Sequence, residues 1–295
     1  MLIGHHKQKK YFSNVIKNGS LNHAYLLSGP EMIGKKLFAL GLYEAMNSRK
    51  PENDPDFKLI SPKLEEGEPP TYITNERVSS QRGGTKLYIE DAKDIKKFLS
   101  FKAYSGPYKV VVIDDAHRLT TEATNALLKT LEEPSSLSVL FLVTHMPKSL
   151  PTTILSRCEE VAFLPAQTDE VTEFLRDKKL NKLDEEFLIK ISFGRLGFIA
   201  RLLEEDRLDS AKKAVDDLRK LLGKGAFEKL DYAKMIHENK AYGQTVGYWL
   251  NWLYANLNNS PKNAVIVRNL FQLNSIVSQP QFNHRLALEN FLLNL

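Results

Sequence analysis

The chain has one cysteine, Cys158, among its 295 residues. A single thiol excludes an internal disulfide and any metal site built from several thiolates, and it suits a reducing compartment. Long apolar runs are missing as well: none approaches the roughly 18 residues needed to span a bilayer. The N-terminus Met1-Leu-Ile-Gly-His-His-Lys7 lacks a signal-peptide apolar core, so a cytoplasmic protein without membrane contact is expected. Neither sign of charge is scarce. The 41 Lys and Arg residues are mixed with 36 Asp and Glu, for a formal charge of +5, which permits contact with nucleic acid but does not demand it. Hydrophobic content of 42% and charged content of 26% are ordinary for a globular protein, and the length predicts two or three domains. No internal repeat and no long low-complexity tract is present.

From about residue 20 to 165, short β-rich runs alternate with amphipathic segments, the pattern of a parallel sheet covered by helices. Strands are predicted at Ala24–Ser28, Phe57–Ile60, Leu87–Ile89, Val110–Asp114, Val139–Thr144 and Val161–Phe163. Residues 62–86 carry Pro62, Gly67, Pro69, Pro70, Gly83 and Gly84 with scattered charge, and are expected to form an exposed insertion with no packed element. After Pro165 helical periodicity takes over: Val171, Phe174 and Leu175, then Phe187, Leu188 and Ile191, then Ile199, Leu202 and Leu203. From about Asp209 the pattern stays helical, and Tyr248-Trp-Leu-Asn-Trp-Leu-Tyr254 predicts a buried packing or oligomer helix. The fold class is therefore an α/β domain over 1–165, a small helical lid over 166–208 and an all-α domain over 209–295.

Three stretches carry chemistry. Gly29-Pro-Glu-Met-Ile-Gly-Lys-Lys36 reads as a damaged phosphate loop. Such a loop needs small residues whose N–H groups cradle phosphates, a Lys for the β- and γ-phosphates, and a hydroxyl for Mg²⁺. Gly29, Gly34 and Lys35 match that need. Lys36 stands where the hydroxyl belongs, and a cation cannot ligate a cation. A strand-to-helix turn whose glycines only permit tight packing is the bland alternative. Val110-Val-Val-Ile-Asp-Asp-Ala-His117 brings Asp114 and Asp115 to a strand's carboxyl end, where open α/β sheets place ligand chemistry. Those carboxylates either face a nucleotide or simply cap a helix starting at Thr120 or Thr121. The third is Asn125-Ala-Leu-Leu-Lys-Thr-Leu-Glu-Glu-Pro134, followed after a short strand by Ser156-Arg157-Cys158. Ala126, Leu127, Leu128 and Leu131 recur at helical spacing as core, with Pro134 ending the helix.

In this order, phosphate loop, acidic strand, Leu-rich helix and Ser-Arg-Cys resemble the AAA+ clamp loaders of bacterial DNA replication, and within them the delta-prime subunits of DNA polymerase III. The resemblance covers about residues 1 to 205. It implies a P-loop AAA+ domain, a lid and a helical collar. Many members carry a four-cysteine zinc module, and this chain has none, so no zinc is expected. Met32 occupies a position usually held by Gly in the family, Asp115 replaces a catalytic Glu, and Gly197 in Gly194-Arg-Leu-Gly197 replaces the lid's sensor Arg. Arg195 and Arg201 are nearby but out of register. Thr144 matches the first sensor. The resemblance therefore implies a degenerate nucleotide site at Gly29, Gly34, Lys35, Lys36, Asp114, Asp115 and Thr144. It either holds ATP or ADP without efficient turnover or holds none, with Mg²⁺ only if nucleotide binds.

The resemblance implies that Arg157 is an arginine finger, acting in a neighbouring subunit's ATP site. Its planar fork suits phosphate oxygens, which a Lys grips less well. The alternative is an internal pair with Glu159, Glu160 or Glu133. Lys129, Glu132 and Glu133 fall near a subunit boundary in the family, or form a solvated face. The implied partners are gamma or tau and delta clamp-loader subunits, and indirectly the sliding clamp and primed DNA, within the DNA polymerase III holoenzyme. The other readings are a weakly active gamma-type ATPase and a stand-alone DNA-binding accessory protein. His5, His6, His23 and His117 have no ligand spacing that assigns them to a metal.

Overall fold

The computed structural model describes residues 3–62, 71–73, 76–78, 86–135, 137–256, 261–277, 279 and 281–295. Its described residues group into two compact units. One draws on Met1–Lys63, Thr85–Arg176 and Gly194–Gly197; the other draws on Leu64–Gly84, Asp177–Phe193 and Phe198–Leu295.

The first unit is built on five parallel strands in the spatial order β2-β5-β6-β1-β7. These are β1 Ala24–Ser28, β2 Phe57–Ile60, β5 Lys109–Ile113, β6 Ser138–Thr144 and β7 Glu159–Ala162. The strand β1 lies between two strands from much later in the chain, with Ser28 paired to Thr144 on one side and to Ala162 on the other. In an open parallel sheet, such a reversal of strand order leaves a crevice at the strands' carboxyl ends.

The runs Val110–Ile113 and Val139–Val143 are apolar without interruption because both sheet faces are covered. Alternate residues then enter different cores. Leu26, Val111, Ile113, Leu140 and Leu142 pack with Ala92, Ile95 and Leu99 of α3 (Ile89–Ser100) and with Ala123, Leu127 and Leu131 of α4 (Thr121–Glu132). Tyr25, Leu27, Val110, Val112, Phe141 and Val143 face the other way, onto Phe12 of α1 (His6–Lys17) and Phe38, Leu42 and Tyr43 of α2 (Lys35–Asn47).

Three expectations change here. Leu87–Ile89 is not a strand: Leu87 makes one isolated bridge with Leu119, and Ile89 opens α3. The reason is local, since Asp91 at the third helical position accepts a 2.9 Å bond from the Tyr88 N–H and fixes the helix start. Asp114 and Asp115 do not cap α4. Thr120 does, its hydroxyl oxygen accepting from the Ala123 N–H at 3.2 Å. The stretch 62–86 holds two short antiparallel strands, β3 (Thr71–Ile73) and β4 (Glu76–Val78), with Tyr72 opposite Arg77. Thr, Tyr, Ile and Val favour that pairing, a signal hidden by the Pro and Gly around it. Apart from Pro62 and Lys86, the rest of that insertion lies outside the described residues.

After α5 (Thr152–Leu155), the first unit ends with α6 (Thr168–Leu175), which buries Val171 and Leu175 as the periodicity predicts. In the second unit, α7 (Lys182–Ser192) buries Leu188 and Ile191; α8 (Leu196–Glu204) starts within the Gly194–Gly197 stretch of the first unit, and its buried Phe198, Ile199 and Leu202 belong to the second. There follow α9 (Leu208–Leu221), α10 (Ala226–Glu238), α11 (Tyr242–Ala255), α12 (Pro261–Val277) and α13 (His284–Leu293). The aromatic segment lies in α11, where Trp249 is fully buried among Leu218, Ala233, Ile236, Leu270 and Leu288. Its indole N–H is satisfied by the Ala214 carbonyl at 2.7 Å.

Candidate functional site

The chain leaves β1 at Ser28 and turns through Gly29 at φ 139°. A Cβ there would lie 2.3 Å from the Phe163 carbonyl oxygen, so only glycine fits. The loop runs on through Met32 at φ 57°, a left-handed conformation that glycine adopts freely and a methionine at a cost of about 1 kcal/mol or more. Gly34 then opens α2.

Lys35 does not project from the loop. Its ammonium folds back and donates to the Gly29 carbonyl at 2.7 Å and to the Pro30 carbonyl. Burial draws its pKa down to about 8, against the opposing pull of Glu31, Asp114 and Asp115. Lys36 Nζ lies 2.9 Å from Asp114 Oδ2. A cation therefore already sits on the carboxylate that a Mg²⁺-bound water would use, and the position that should offer a hydroxyl supplies that cation. These residues do not fit a bound Mg²⁺.

The other strand ends converge on the same place. Asp115 adopts φ 51° and its carboxylate meets Arg118 Nε at 3.3 Å. Burial raises its pKa, and Asp114 adds to the rise. Thr144 is buried at the end of β6, where its hydroxyl oxygen accepts from the Met146 N–H at 3.0 Å and lies 3.2 Å from His117 Nδ1. Burial, helped by His145, Arg118 and Lys35, lowers the His117 pKa to about 3, so the ring is neutral. Gly29, Gly34, Lys35, Lys36, Asp114, Asp115 and Thr144 thus gather at the carboxyl edge of the sheet.

Gly197 closes the loop from a distant stretch of sequence. Its N–H donates to the Met32 carbonyl at 2.7 Å, and a Cβ on it would lie 2.7 Å from that same oxygen. A side chain at this position, arginine included, requires the loop backbone to move. Three participants escaped the sequence reading or were set aside in it: Glu31, His145 and Arg195. Glu31 Oε1 lies 2.7 Å from His145 Nε2. Burial lowers the Arg195 pKa, and Glu31 opposes that shift. Only the adjacency of His145 to Thr144 could have flagged it.

Arg157 follows α5, and its bonds go elsewhere. Nη1 donates to the Thr153 carbonyl at 2.9 Å and Nη2 to Glu132 Oε1 at 2.7 Å. The side chain keeps about a third of its surface exposed and that of Glu132 about half (34% and 48%). The alternative reading, an internal pair, is met by Glu132 and not by Glu159, Glu160 or Glu133. Glu159 accepts from Tyr11 and Asn22, and Glu160 accepts from Ser28 at 2.6 Å. Burial pushes the neighbouring Cys158 thiol up to about 12, which leaves it unreactive.

A family model described as DNA polymerase III, delta subunit, matches residues 4–167, more than half of the chain. The chain belongs to this family of clamp-loader subunits. Among curated relatives, it is 31% identical over 207 residues to DNA polymerase III subunit delta' of Pseudomonas aeruginosa, covering 68% of this chain and 61% of that protein. It is 29% identical over 203 residues to subunit tau of Bacillus subtilis, covering 68% of this chain and 34% of that protein. The chain thus spans less than two thirds of the length of these relatives. Its fold is that of a DNA polymerase III gamma-subunit-related protein from Thermotoga maritima, at a TM-score of 0.57 and 20% identity, covering 95% of this chain and 97% of that one. Among the described residues, no helix is long and apolar enough to cross a membrane.

Proposed function

We propose that this chain is a delta-prime-type subunit of a bacterial clamp loader. Its own nucleotide loop is held closed by its own side chains, and it lends Arg157 to the ATP site of a neighbouring gamma or tau subunit. A delta subunit is the partner on its other side, and the assembly loads the sliding clamp onto primed DNA. The observation that carries this reading is the Lys36–Asp114 pair at 2.9 Å, an internal cation in the place of the metal. The closed Lys35 and the Met32–Gly197 contact support it, because both favour the loop without a phosphate in it. The Arg157 guanidinium supports the second half: it is held by a partly exposed carboxylate that a phosphate can replace.

A gamma-type ATPase is the competing role, favoured by the retention of Gly29, Gly34 and Lys35 and by the similarity to subunit tau. Titration of ATP into the purified chain, with and without Mg²⁺, separates the two. The delta-prime reading expects Mg²⁺ to bring no gain in affinity, and Lys36→Thr, which frees Asp114 and restores a hydroxyl, to introduce one. Tight Mg²⁺-dependent binding and turnover by the native chain, lost in Lys35→Ala, establishes the gamma-type role instead.

A further inference from the structure

Asp115, His117 and His145 each place one possible ligand atom within 4.8 Å of the others. They come from two adjacent strand ends: Asp115 and His117 follow β5, and His145 follows β6. Each imidazole already has one nitrogen engaged by a second group. His145 Nε2 lies 2.7 Å from Glu31 Oε1, a contact that favours the proton on Nε2 and leaves the Nδ1 lone pair over. Among the described residues, Nδ1 is buried without a hydrogen-bond partner, and it lies 3.9 Å from Asp115 Oδ1. His117 Nδ1 lies 3.2 Å from the Thr144 hydroxyl, whose oxygen has room for a second donor beside the Met146 N–H; donation from Nδ1 leaves the Nε2 lone pair over. Metal-binding histidines are commonly arranged in this way, the second nitrogen fixed by a carboxylate or another oxygen acceptor that sets the tautomer and the ring plane.

We infer that Asp115, His117 and His145 form a binding site for a borderline divalent transition metal of the Zn²⁺ class, with Glu31 and Thr144 as its orienting groups. Two imidazoles and one carboxylate suit zinc and disfavour Mg²⁺, which prefers an all-oxygen shell. Asp115 ligates through Oδ1, the oxygen that faces His145 Nδ1, while Oδ2 lies toward Arg118 Nε at 3.3 Å. The surrounding charge also selects the metal. Arg118 and Lys35 offset Asp115 and Glu31, so a purely electrostatic cation gains little, whereas zinc gains from bonding to nitrogen. Donor atoms around a tetrahedral zinc lie about 3.3 Å apart. The widest separation must therefore close by more than 1 Å through side-chain rotation, and the Asp115–His145 separation by about half that. Three protein ligands leave a fourth position for water. The site lies beside the Lys36–Asp114 pair and shares Asp115 and Thr144 with the residues gathered at the sheet edge.

Zn²⁺ titrated calorimetrically into the full, metal-stripped chain, with Co²⁺ as a spectroscopic stand-in, tests the site. The expected result is one equivalent bound, visible d–d bands with Co²⁺, and no displacement by excess Mg²⁺. His145→Ala and Asp115→Asn should each lower Zn²⁺ affinity at least tenfold, and Glu31→Gln by about 10- to 100-fold. His6→Ala, at an exposed histidine of α1, should leave affinity unchanged. Should His145→Ala unfold, as read by circular dichroism, His145→Gln takes its place. Failure of the native chain to bind stoichiometric Zn²⁺ would overturn the inference, and so would equal affinity in folded native and His145 variants.

Discussion

At the carboxyl end of β1 two lysines are held by the chain's own atoms, Lys35 by loop carbonyls and Lys36 by Asp114. Beyond α5 the guanidinium of Arg157 rests on Glu132, with both side chains substantially open to solvent. Both places belong to one compact unit and both hold cations suited to phosphate, but they differ in what a phosphate must displace. At the loop it must extract an ammonium that is 6% exposed from two carbonyls, and separate an ion pair. At Arg157 it competes with one partly exposed ion pair, an interaction worth less than about 1 kcal/mol, and with local hydrogen bonds to the Thr153 carbonyl and the Ser156 hydroxyl. Lys35, buried on its own chain, serves the fold; in the proposed assembly Arg157 is the cation that a neighbour uses.

The closed side can be broken first at Gly197. Gly197→Ala puts a methyl group 2.7 Å from the Met32 carbonyl oxygen, and a loss of about 1–3 kcal/mol in urea-unfolding stability is expected. An unaltered midpoint would mean that the loop yields easily and is not locked.

The Lys35 charge gives a smaller, pH-dependent effect. Folded, its amine titrates near 8, whereas its ordinary value is 10.5. Between these values the unfolded chain holds the additional proton, so the stability that this group affects rises with pH across that window. Comparison with Lys35→Met cancels the other titrations. The native chain should gain about 2 kcal/mol relative to the variant between about pH 8 and pH 10. Parallel stability curves would show that Lys35 is solvated and the loop open.

Glu132→Gln should have the smallest effect, below about 1 kcal/mol in stability, and should leave ATP hydrolysis by an assembled clamp loader within about twofold of native. If it lost as much activity as Arg157→Ala, the Arg157–Glu132 pair would be a structural unit and the comparison would fail.

Much of this was legible in the sequence, for identifiable reasons. Strands buried on both faces read as uninterrupted apolar runs, which makes β1, β5 and β6 legible to within a residue or so. Lys36 was visible in the sequence as a charge where a hydroxyl was expected, but its pairing with Asp114 was not. What stayed hidden depended on contacts between distant residues. Asp56 is an example: it is fully buried, and although burial alone would raise its pKa, the N–H groups of Tyr104, Ser105 and Gly106 lower it overall. Nothing in its local pattern predicts that role. The same holds for Glu132 as the partner of Arg157, 25 residues away, and for Glu31 on His145, since neither pair has helical or strand spacing. The β3–β4 hairpin was obscured for a different reason, its short β-favouring runs being flanked by Pro and Gly.

The most direct test of the central claim measures DNA-stimulated ATP hydrolysis by a clamp loader reconstituted with the native chain, with Arg157→Ala and with Lys35→Ala, confirming assembly in each case. Arg157→Ala should lower the rate tenfold or more, about 1.4 kcal/mol of transition-state stabilisation, while Lys35→Ala in an intact complex should retain it. The reverse result, with activity lost in Lys35→Ala and kept in Arg157→Ala, would contradict the claim.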